Sequence, residues 1–130
     1  MDIFSAFATD EQREIQGAWF DVPGGDARIL VARSNNPIYT KAVVKAYEKY
    51  AKAPKNSTTE KQQEADYIRV MAQHLLLDWE SVQYQGAALD YTKENAEMLL
   101  KIKDFRVFVQ QCSDDFESFK VETEQEVGNS

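Results

Sequence analysis

Apolar residues in this chain change period from segment to segment, and the changes mark the elements. Ile3, Phe4 and Phe7 stand at i, i+1 and i+4, ahead of the polar run Thr9-Asp10-Glu11-Gln12. That spacing predicts a single amphipathic helical turn or a mobile arm. Residues 13–22 alternate imperfectly through Ile15, Gly17, Trp19, Phe20 and Val22, then meet the turn signal Pro23-Gly24-Gly25-Asp26 and the β-forming run Ile29-Leu30-Val31-Ala32. Two such runs around a glycine-rich turn predict a β-hairpin. A lone hairpin is marginal in water, so it must pack on helices or gain strands from elsewhere.

Helical spacing governs the rest. Asn36-Pro37 reads as a cap followed by proline at the first helical position, and Tyr39, Val43, Ala46, Tyr47 and Tyr50 trace one face. Ala53-Pro54 to Thr58 closes that helix in a polar loop. A second helix is expected from near Thr59, with the stripe Ala65, Ile68, Ala72, Leu75 and Trp79 ending on the tryptophan. Val82 to Asp90 reads as a short connection around Gly86 with extended arms. Thr92 then caps a short helix carrying Ala96, Leu99 and Leu100. Asp104 is expected to cap the last helix, whose stripe is Phe105, Phe108, Val109, Cys112, Phe116 and Phe119. The pattern predicts an α+β, mainly α fold: an N-terminal β-hairpin followed by about four helices around a Phe-rich core. Residues 1–120 form one domain, and 121–130 an acidic tail expected to be disordered.

Size and charge narrow the function classes. The 130 residues are enough to bury a core without disulfides or metals, and 43% hydrophobic against 28% charged residues argues against wholesale disorder. No apolar run reaches membrane-spanning length, the N-terminus lacks a signal peptide's basic and apolar regions, and Cys112 is the single cysteine. The expectation is a protein of the cytoplasm that does not engage membranes. A net charge of −7 disfavours nucleic acid. The charge is unevenly spread. Lys41, Lys45, Lys49, Lys52, Lys55 and Lys61 outnumber Glu48 and Glu60, whereas Asp114, Asp115, Glu117, Glu122, Glu124 and Glu126 outnumber Lys120. Both segments read as solvated surface or, more sharply, as two surfaces through which copies meet. The basic segment holds no arginine, which argues against specific phosphate recognition.

Candidate chemistry changes little. His74 is the lone histidine, and a metal site needs several ligands. Cys112 falls on the phenylalanine stripe and reads as a small buried hydrophobe. Gly24-Gly25 has no Gly-Lys-Ser/Thr after it and is no phosphate loop. The expectation is no enzyme, no cofactor and no metal.

One ordered combination stands apart: Trp79-Glu80-Ser81-Val82, Gly86, Tyr91-Thr92, Glu94-Asn95-Ala96, Leu99-Leu100, Asp104-Phe105. With Gly17-Ala18-Trp19-Phe20, Ala27 to Arg33, Asn36-Pro37 and Tyr39, it resembles the tail assembly chaperones of long-tailed (siphovirus-type) bacteriophages. The resemblance covers most of the chain apart from residues 53–64. It implies a non-enzymatic protein of viral tail morphogenesis, made late and acting in the host cytoplasm. Such a protein self-associates, binds and solubilises the tape measure protein, helps recruit the major tail (tube) protein, and is absent from the mature virion. Many members also exist in a longer form made by ribosomal frameshifting, of which this chain would be the shorter form. No catalytic residues carry over. The residues themselves offer Ile3, Phe4 and Phe7 as an apolar contact. They offer Lys45, Lys49 and Lys52 against Glu122, Glu124 and Glu126 as complementary charged contacts. Rival readings are a small acidic inhibitor or DNA mimic binding a host enzyme, and a structural head–tail joining protein.

Overall fold

A computed structural model describes residues 1–122. The chain opens with two short helices, α1 (Ile3–Phe7) and α2 (Glu11–Gln16), capped by the carboxylates of Asp2 and Asp10. Residues 13–16, expected to open an alternating strand, are therefore helical. Asp10 supplies the start signal, and the alternation is only two residues deep before Gly17. Strands β1 (Ala18–Asp21) and β2 (Arg28–Val31) form the expected antiparallel hairpin, pairing Ala18 with Val31 and Phe20 with Ile29.

Helix α3 (Pro37–Tyr47) starts where the sequence signals it. The Asn36 side chain accepts from Ile38 N and Tyr39 N at 3.0 Å each and donates to Arg33 O at 2.7 Å. Asn36 is itself buried, so the cap also satisfies polar groups that would otherwise be costly to bury. A single 3-10 turn (Glu48–Tyr50) ends this helix. Helix α4 (Ser57–His74) begins behind an Asn56 cap, two residues earlier than expected.

The principal correction lies at the end of α4. Trp79 does not close a helix: the helix stops at His74, and Leu76–Glu80 is strand β3. It adds to β2, giving a three-stranded antiparallel sheet in the order β1-β2-β3, with a bulge that leaves Leu77 without a Cα partner. The stripe through Leu75 and Trp79 fits a helix, but Leu76, Leu77 and Trp79 also satisfy a strand. The free edge of β2 supplies ladder partners that a longer helix would forgo. Thus the hairpin gains its third strand, as its marginal stability required.

After β3, Ser81 and Gln85 take positive φ values of 59° and 51° around a small second hairpin, β4 (Gln83–Tyr84) and β5 (Ala87–Ala88), the turn expected around Gly86. Thr92 caps α5 (Lys93–Leu100) through Asn95 N at 2.9 Å, as expected. In α6 (Lys103–Asp114) the cap position falls on Ile102 and has no side-chain hydrogen bond. Asp104 is instead inside the first turn, where its charge still favours the helix N-terminus. The last stripe breaks after Asp114, and Phe116–Phe119 forms a 3-10 turn.

The helices pack on the sheet face bearing Ile29, Val31, Leu76 and Trp79. The core is largely aliphatic, built from these residues with Ile68, Met71, Leu75, Leu99, Leu100 and Val109. The phenylalanines lie mainly at its margin: Phe20, Phe105 and Phe108 are half-buried, and Phe119 is fully buried. Trp79 donates from Nε1 to Leu89 O at 2.8 Å and meets Tyr91 edge-on at 5.0 Å, while Tyr91 Oη donates to Leu76 O at 2.7 Å. These contacts clamp the Val82–Asp90 connection over β3. The segment that carries the family resemblance is thus a packing junction.

Candidate functional site

The N-terminal arm is exposed at its tip and fastened at its root. Ile3, Phe4 and Phe7 are 62%, 73% and 56% exposed, although they share one short helix. Phe7 stacks on Phe116 at 5.8 Å. Beyond it, Asp10 N donates to Phe119 O at 2.7 Å and Val121 N to Ala8 O at 3.0 Å, around a bridge between Thr9 and Lys120. The acidic tail expected from residue 121 therefore starts with a residue tied to the arm. Glu122 also pairs with Arg13 at 3.2 Å. Glu124 and Glu126 lie outside the described residues.

Beneath this junction sits an ion pair that a reading of the sequence did not single out. Glu14, at the heart of α2, approaches Arg33 Nε at 3.7 Å, and both side chains are largely buried. Arg33 N donates to Glu14 O at 2.8 Å, and its guanidinium lies 5.8 Å from the Phe119 ring centre. Among the described residues, Arg33 Nε and Nη1 have no hydrogen-bond partner.

Of the three candidate lysines, Lys45 and Lys49 line a furrow between α3 and α4, and Lys52 does not. A hollow of about 440 Å³ is lined by Ala42, Lys45, Ala46 and Lys49 on one side and Asp66, Arg69, Val70, Gln73 and His74 on the other. A second hollow of similar size shares Lys49, Asp66 and Arg69 and continues past Tyr50. Asp66 is the organising residue. It is buried, meets Lys49 Nζ at 2.8 Å and Arg69 Nη1 at 3.0 Å, and accepts from the Tyr50 hydroxyl. Hydrogen bonds from Lys49 first, then Tyr50, hold its carboxyl below the ordinary value of 3.8. Lys49 is thus bound to its own chain, whereas Lys45 and Lys52 are exposed with no carboxylate within ion-pair distance among the described residues. At the far end, burial and the neighbouring Lys93 charge lower the His74 pKa. Lys93 itself donates to Gln73 O at 2.8 Å and satisfies the end of α4.

A third recess, about 240 Å³, is apolar and lies between the two hairpins and the α5–α6 junction. Val22, Ile29, Val82, Tyr84, Leu99 and Phe105 line it. Among the described residues no group of three or more His, Cys, Asp or Glu side chains is placed to hold a metal ion. Cys112 is buried, and desolvation pushes its thiol up to about 12, so it stays a protonated thiol at neutral pH. Among the described residues, no helix is long and apolar enough to cross a membrane.

The surfaces divide at residue 34 in comparison with known proteins. Residues 34–129, well over half the chain, match the model of a family described as YdaY prophage protein. The chain belongs to the YdaY prophage protein family. It is therefore a phage-derived protein. No curated protein and no solved structure matches it. The YdaY match takes in the α3–α4 furrow, the Trp79 junction and the acidic end. The arm, the buried Glu14–Arg33 pair and the first hairpin lie before it.

Proposed function

We propose that this YdaY-family protein is a non-enzymatic tail assembly chaperone. It associates with copies of itself in the host cytoplasm, keeps hydrophobic helical segments of the tape measure protein soluble, helps recruit tail tube subunits, and is absent from the finished virion. Its prophage family supports the phage setting, and the resemblance running from Trp79 to Phe105 supports the role. The observation that carries the reading is the N-terminal arm. A capped helix holds Ile3 and Phe4 in solvent, while its root is hydrogen-bonded to the body at Ala8 and Asp10. Exposed apolar groups on an anchored element are the feature a protein needs to meet an apolar client or another copy.

Co-expression with the tape measure protein of the same prophage tests the role. The expected result is a soluble complex that the chain lacking residues 1–7 fails to form. A tape measure fragment equally soluble with and without this chain would remove the proposal.

A further inference from the structure

We infer that the apolar recess between the two hairpins and the α5–α6 junction receives the N-terminal arm of a second copy of this chain, with Phe4 as the inserted side chain. The inference deepens the self-association in the proposed function and rests on that part of it, not on the tape measure protein. Two apolar features of the molecule lack an apolar partner. One is the arm, where Ile3 and Phe4 stand exposed on a helix capped by Asp2. The other is the recess, whose described lining residues include no charged side chain. Ile29 and Leu99 are buried at its floor, and Ile102, half exposed, forms its lip.

Arm and recess match in size and chemistry. At about 240 Å³ the recess is smaller than the roughly 300–1,000 Å³ of a small-molecule site. It suits one or two side chains. An aromatic anchor seated in an apolar pocket is the usual source of affinity at an interface. Phe4 is already ordered on α1, which lowers the entropy lost on docking. The walls are equally fixed. Leu89 N donates to Val82 O at 2.9 Å across the second hairpin, and Arg106 Nη1 donates to Leu100 O at 2.8 Å at the α5–α6 junction.

The arm is fastened away from its own recess. Phe7 stacks on Phe116, past the end of α6, and Val121 N bonds Ala8 O. Phe105, which lines the recess, lies in the first turn of α6. From Phe105 to Asp114 that helix rises about 13.5 Å, whereas α1 rises only about 4.5 Å from Phe7 back to Phe4. Arm and recess thus belong to opposite ends of α6, and a second copy brings them together. Because the two surfaces differ, the contact is head-to-tail: a copy that gives its arm still offers its recess.

Complementation between two full-length variants tests this. Phe4→Asp spoils the arm and leaves the recess intact. Ile102→Arg blocks the recess and leaves the arm intact. Both side chains are substantially exposed, so both folds should survive, as circular dichroism will show. Tyr84→Lys, on the β4 wall, replaces Ile102→Arg if that variant does not fold. In sedimentation equilibrium the natural chain is expected to gain average mass with concentration. Each variant alone should associate at least about tenfold more weakly. An equimolar mixture of the two should form a one-to-one heterodimer, since one intact arm meets one intact recess. A mixture no heavier than its separate parts would overturn the inference, as would variants that associate like the natural chain. Either result, with a natural chain that still associates, would leave self-association standing through another surface. A natural chain that stays monomeric would overturn the inference and self-association together.

Discussion

Glu14 and Asp66 are both drawn out of solvent and both face an arginine, yet their surroundings give them different work. Glu14 meets Arg33 where α2, the end of β2 and Phe119 converge. The long Glu14–Arg33 contact makes no hydrogen bond, and part of the guanidinium is unmatched. Asp66 meets Lys49, Arg69 and Tyr50 at the rim of a furrow, and both cationic partners are more than half exposed. The first pair fastens the N-terminal arm to the body at the cost of desolvating two charges. The second fixes the shape of a surface while leaving its cations hydrated. The same pairing of charges can therefore act as a fastener or as a lining, depending on how much water its partners keep.

Five variants sharpen this contrast. The largest effect is expected from Phe119→Ala, which empties the fully buried site under the fastener and should lower stability by about 3–5 kcal/mol in urea titration. Next comes Glu14→Gln, which leaves Arg33 without its counter-charge and should cost about 2–3 kcal/mol. Replacing both partners, as Glu14→Leu with Arg33→Met, should recover most of that loss; a double variant no better than the single one would show that the charges themselves hold the arm.

Asp66→Asn should cost only about 1 kcal/mol at neutral pH. Because the Asp66 pKa is depressed on folding, its contribution is present above the ordinary value of 3.8 and is lost as the pH falls through the lower folded value. The difference between natural and variant melting curves should accordingly close in that acidic window. A gap that stays constant down to the lowest pH would show that Asp66 stabilises through shape and not charge. The smallest effect on stability is expected from deleting residues 1–7, within about 1 kcal/mol, since the deletion removes exposed side chains and the Phe7–Phe116 stack. Helical circular dichroism should survive, while association measured by sedimentation should weaken. Collapse of the fold would make the arm part of the core.

Local signals were legible wherever a side chain acts on its own backbone. Asn36-Pro37 and Thr92 each announce a helix start because the capping oxygen reaches amide groups two or three residues away. Pro23 to Asp26 announces the first hairpin, and Gly86 the second, since both need backbone angles that glycine adopts freely. The candidate surface was legible in part. Lysines at four-residue spacing mark a helix face, and Asp66–Arg69 is an ordinary helical pair. Nothing in the order of residues joins Lys49 or Tyr50 to Asp66. That contact exists because α3 packs along α4.

By itself the sequence determined the early hairpin, the succession of helices, the uneven charge and the apolar arm, because these follow from local geometry and composition. Tertiary structure decided the rest. It turned Leu76–Glu80 from a helix end into a third strand, since β2 had unpaired backbone groups and Trp79 gained both a carbonyl partner and an aromatic one. It joined Glu14 to Arg33 and Asp66 to Lys49, pairs whose attraction becomes effective only after packing has brought them together and stripped away water.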